Sequence, residues 1–162
     1  MNRRHVLGSV GIGILGAGCT GSVVSSCPDP DIDEELAYEA RNAEQFTDGE
    51  ETILVTSPDD VGRFNERLMD IQDEGWVRET DFRTEFVLGI QATTSSESSE
   101  IESLGVERVD SSEVRAYTCI ENRGRTDDAA PHPILLRVVH DGTVPEDVSA
   151  IHWEDGDERT IE

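Results

Sequence analysis

The sequence predicts a mainly β domain of the α+β class: a small antiparallel sandwich or barrel-like sheet with one amphipathic helix at about residues 58–73. Three stretches carry this expectation. Phe86, Leu88, Ile90 and Ala92 alternate with Val87, Gly89 and Gln91, the period of two that sets one strand face toward a core. Ile101 to Val109 and Val114 to Ile120 flank the polar turn Asp110-Ser111-Ser112-Glu113, which reads as a hairpin. Ile134-Leu135-Leu136-Arg137-Val138-Val139 is almost continuously apolar, as expected of a central strand covered on both faces.

The remaining elements follow in order. Met1 to Gly18 reads as an address. Arg3 and Arg4 precede a short apolar run, Val6 to Leu15, that is below the roughly 20 residues needed to span a bilayer. Arg3-Arg4-His5-Val6-Leu7 resembles a twin-arginine export signal, and Leu15-Gly16-Ala17-Gly18-Cys19 resembles a lipobox. By that resemblance Cys19 becomes the lipidated N-terminus of the mature chain. Residues 19–35 are rich in Gly, Ser, Pro and Asp and read as a flexible tether. Its run Asp29-Pro30-Asp31-Ile32-Asp33 does not make a calcium loop, since the glycine and glutamate positions hold Glu34 and Ala40.

The domain proper is expected over 36–153. Leu36, Tyr38 and Ala40 alternate as in a strand, and Thr52 to Thr56 is a second short strand. Ser57 and Asp60 form a capping-box-like start with Pro58 at the first helical position. Val61, Phe64, Leu68 and Ile71 then space one apolar stripe, and Gly75 offers a stop. Thr93 to Glu100 and Asn122 to Pro133 read as loops, and Val148 to Trp153 as the last strand. The acidic run 154–162 is expected to fray.

Composition narrows the setting. The formal charge is −23 from 13 basic and 36 acidic residues, and every basic residue is arginine. Such a surface repels itself unless salt shortens the Debye length to about 3 Å, as at 1 M. In this the chain resembles proteins of extreme halophilic archaea. Nucleic acid is excluded as a partner by like charge. With 35% apolar and 5% aromatic residues, the core is expected to be small and built from Val, Ile and Leu.

Candidate sites are few. With Cys19 lipidated, Cys27 and Cys119 remain as an even pair in an exported protein and are expected to form a disulfide. Hydrolase elbows, zinc-helix motifs, phosphate loops and dinucleotide fingerprints are absent. No catalytic residue and no cofactor are assigned. His132, His140 and His152 are the candidate metal ligands, although isolated histidines near strand ends are more often solvated or hydrogen-bonded. Arg115 and Arg137 lie inside strands, where they would either receive an anionic ligand or a partner's carboxylate, or pair with local acids.

The run Thr80-Asp81-Phe82-Arg83-Thr84-Glu85-Phe86-Val87-Leu88-Gly89-Ile90, the hairpin 101–120, and Pro131-His132-Pro133-Ile134-Leu135-Leu136-Arg137-Val138 together resemble the PrcB C-terminal-type domain family. That family is named for a lipoprotein subunit of a surface protease complex. The resemblance covers about Thr52 to Trp153 and implies a small β-rich domain with one helix that assists or binds another surface protein. The family's Thr/Gly-rich turn is replaced here by Thr94-Ser95-Ser96-Glu97-Ser98-Ser99. The expectation is therefore a lipid-anchored module on the extracellular face of the cell membrane. It would bind an unknown protein partner in the class of surface proteases or transporters. The alternative is a small cell-surface hydrolase with a dispersed or His-metal site.

Overall fold

The computed structural model describes residues 27–96, 100–121 and 125–162. Arg3, Arg4 and Cys19 lie outside the described residues. Eight strands fall into two four-stranded sheets among them. The first sheet has the order β1-β6-β3-β2, with β1 at Tyr38–Asn42, β2 at Glu51–Val55, β3 at Glu85–Ser96 and β6 at Arg125–Val139. The second has the order β4-β5-β7-β8, with β4 at Ile101–Arg108, β5 at Glu113–Ile120, β7 at Asp147–Glu154 and β8 at Asp157–Ile161. The fold is a small β-sandwich of the α+β class. One pairing departs from the antiparallel expectation: β5 and β7 run parallel. The chain reaches β7 from β6, in the other sheet, and so is not bound by the direction that a tight hairpin would impose.

Two apolar layers hold the molecule. Leu88, Ile90, Leu136 and Val138 of the first sheet meet Val106, Val114, Ala116 and Ala150 of the second in the space between the sheets. On the opposite side of the first sheet, Val87 and Leu135 meet Phe46, Val61, Phe64 and Val77. This second layer explains why β3 and β6 read as apolar on both faces. Gly89 lies beneath the edge-to-face pair Phe46–Phe64, whose ring centroids are 5.2 Å apart. A Cβ at residue 89 would meet Phe64 Cε1 at 2.5 Å, so the close ring approach requires glycine there.

The single helix expected at 58–73 is instead two short pieces, a 3-10 helix at Pro58–Arg63 and α1 at Ile71–Arg78. Phe64 has extended backbone and turns its ring into the core, which ends the first piece. Asp70 starts the second by accepting a hydrogen bond from Gln72 N–H at 2.7 Å, an N-cap inside the expected stripe. Ile71 is consequently 79% exposed, and Gly75 lies within α1 rather than closing it.

Two boundaries also move. Cys27 is joined to Cys119 by a disulfide, and Ile32 fills the notch left by Gly105. Leu36 N–H donates to Val106 O at 2.8 Å and Arg108 N–H to Glu34 O at 2.9 Å. Residues 27–36 are therefore a strap laid on β5 and β4, not a free tether. The run expected to fray is β8, which carries the buried Ile161 into the core. Its turn is Asp155-Gly156, both with positive φ, the two-residue hairpin geometry that Asp-Gly favours.

Candidate functional site

The strap leaves the edge of β4 at Leu36 and crosses to the other sheet as β1. It closes half of one side of the sandwich and leaves the other half open. Between β1 and the first residues of β4 lies a groove made of two adjoining hollows of about 280 and 340 Å³, which share Asn42 and Ile101. Tyr38, Ala40 and Asn42 form one wall, Ile101 and Ser103 the other, and Ile134 and His132 of β6 the floor. Tyr38 Oη donates to Ser103 O at 3.4 Å across the opening. Ser103 Oγ and His132 Nε2 are buried here and have no hydrogen-bond partner among the described residues. A buried polar atom without a partner costs about 1–3 kcal/mol, so two of them beside this groove are a local cost to the fold.

Of the three candidate metal histidines, His140 stands apart, while His132 and His152 lie at one end, near enough for the His132 charge to act on His152. His132 pairs across from Ala92 at one end of the sandwich. His140 lies at the other end, where it stacks on Phe86 and its Nδ1 accepts from Gly142 N–H at 3.0 Å. Eight strand positions at about 3.3 Å each put these two roughly 26 Å apart, beyond any shared ion. Among the described residues no three His, Cys, Asp or Glu side chains are grouped to hold a metal.

His152 is fully buried at the same end as His132. It shares a hydrogen bond of 2.9 Å with Thr118 Oγ1 through Nδ1. Burial, reinforced by the nearby Arg159 charge, lowers its pKa from 6.5 to about 4, although Glu50 and Glu154 pull the other way. The imidazole is therefore neutral at neutral pH. Above it Arg159 ties the two sheets together, donating to Glu50 at 2.9 Å and to Glu154 at 3.1 Å. Burial would raise the Glu50 carboxyl, but the hydrogen bonds from Arg159 and Thr93 N–H hold it below its ordinary range. Glu154 is also hydrogen-bonded to Thr94 Oγ1.

The two candidate ligand arginines are engaged internally. Arg137 lies over the Trp76 ring at 4.1 Å and donates to Trp76 O at 2.8 Å, Thr80 Oγ1 at 3.2 Å and Glu39 at 3.2 Å. It pins α1 to the first sheet, helped by buried Asp73, which accepts from Arg41 at 2.7 Å and from Glu44 N–H at 2.9 Å. Arg115 lies on the outer face of the second sheet, 3.4 Å from both Glu113 Oε1 and Ser149 Oγ. Beside it Tyr117 stacks on Trp153 at 6.0 Å and donates to Glu107 at 2.5 Å. Burial, and then that bond, push the Tyr117 hydroxyl pKa up. Searches against protein families, curated proteins and solved structures found no match to this chain.

Sequence reasoning missed the groove. Tyr38, Ser103 and His132 are far apart in the chain, and nothing local marks them as neighbours. It also missed Arg159, which lay in a run expected to fray, and Glu50, which lay between the first two expected strands. The Asp155-Gly156 pair between Trp153 and Ile161 was the available signal for the first of these.

Proposed function

We propose that this protein is a binding or accessory module, anchored by lipid at Cys19 to the extracellular face of the cell membrane and without catalytic activity of its own. The observation that carries the reading is the side groove, where two strand edges are offered while the prominent charged side chains are used internally. Arginine-only basicity and net charge of −23 support work in molar salt, as in halophilic archaea. Among the described residues no helix is long and apolar enough to cross a membrane. The resemblance to the PrcB C-terminal-type domain supports a partner in the class of surface proteases or transporters.

The test is cross-linking in native membranes at molar salt, followed by solubilisation and identification of what co-purifies. A stoichiometric surface protein is expected. Recovery of the chain alone would overturn the accessory role. Mass analysis of the mature N-terminal peptide is expected to give a lipid-modified Cys19, and an unmodified peptide beginning at Met1 would overturn the anchor.

A further inference from the structure

We propose that the open half of the β4 edge, with the groove beside it, accepts an extended basic segment of a partner protein as an added strand. This rests on the binding-module reading and names its ligand class. The chain itself already uses the other half of that edge in this way: residues 34–36 add antiparallel to it, with the bridge Glu35–Glu107 and the bonds to Val106 and Arg108. From Ile101 to Leu104, among the described residues, the outer side of β4 carries only the Tyr38 contact to Ser103 O. At about 3.4 Å per residue this stretch offers roughly 14 Å of main chain, the length of a short added strand.

Charge selects the occupant. Glu100 and Glu102 flank the open edge, both exposed, and neither makes an ion pair among the described residues. A second copy of so acidic a chain would set carboxylates against carboxylates, and like charges across an edge keep strands from pairing. Alternating arginine or lysine side chains on an added strand would instead meet Glu100 and Glu102. Ser103 and His132 line the groove beside this edge. In molar salt only charges near contact interact, so main-chain bonds supply the affinity and the glutamates choose the sequence.

The experiment uses the full chain in molar salt and fluorescence anisotropy with a labelled short peptide alternating valine and arginine. Saturable binding is expected, with protection from hydrogen exchange of those amides of residues 101–104 that face away from β5. A glutamate-for-arginine peptide should bind at least about 10-fold more weakly, as should the arginine peptide to the Glu100→Lys/Glu102→Lys variant. The arginine peptide N-methylated at every residue should lose binding, because its strand-pairing donors are gone. Absence of binding, equal binding of the N-methylated peptide, indifference to the charge reversals, or a dimer in sedimentation seated on this edge would each overturn the proposal. A membrane partner that co-purifies but is not displaced by the arginine peptide would overturn this inference and leave the accessory reading standing. Peptide binding without any membrane partner would do the reverse.

Discussion

Acidification should destabilise this fold through His152 before its carboxylates begin to titrate. The native imidazole, buried against Thr118 and near Arg159, has its pKa lowered from 6.5 to about 4. The unfolded chain therefore binds this proton more readily, and stability falls with pH between those two values. The slope is about 1.4 kcal/mol per pH unit, and the whole interval is worth about 3 kcal/mol, fully present above the unfolded value and gone below the folded one. From about pH 6.5 to about pH 5 most unfolded carboxylates are still ionised, so this window reports on histidines, and comparison with a His152 variant picks out this one. Urea unfolding followed by Trp76 and Trp153 fluorescence across that window measures the slope. His152→Gln, which keeps a hydrogen-bonding side chain beside Thr118 but cannot titrate, should flatten it by about 1 kcal/mol per unit. Carbon-13 shifts of the ring should place the native midpoint near 4. A midpoint close to 6.5, or a slope unchanged in His152→Gln, would show that His152 does not carry the acid sensitivity.

Three further outcomes follow from the packing and the chain path. Gly89→Ala drives a methyl into Phe64 at 2.5 Å, and this overpacking should cost about 1–3 kcal/mol in urea unfolding. An unchanged midpoint would mean that the phenylalanine pair can slip aside. Replacing both Cys27 and Cys119 by serine opens a cross-link spanning 92 residues, a loss of up to about 4–5 kcal/mol on the chain-entropy model. The double variant should still fold, since the bonds of residues 34–36 to β4 remain, and circular dichroism that loses its strand signal would contradict this. Gly156→Val forces a branched side chain onto a positive φ of 86° and should cost about 1–2 kcal/mol, read as a lower melting temperature.

Much of the strand layout was legible because strand alternation is local. The period-two run at Phe86, the hairpin at 101–120 and the apolar run at Ile134 each became a strand at the expected place. The helical region was harder to read, because the stripe Val61, Phe64, Leu68, Ile71 fits one helix as well as two pieces. What divides it is Phe64, which gains more by lying under Phe46 over Gly89 than by continuing a helix. Asp73 looked like one acid among many, and only the fold places it against Arg41.

Composition and spacing were enough for the class of the fold and the acid-rich, arginine-only surface, and they singled out Cys27 and Cys119 as a pair on the expectation that Cys19 carries lipid. These depend on composition, spacing and residue type. Long-range packing sets residues 27–36 as a strap, runs β5 and β7 parallel, and puts His132 and His140 at opposite ends. It also opened the groove between β1 and β4. Strand edges and the side chains that meet across them are set by sheet order and chain crossing, long-range choices that no local pattern records.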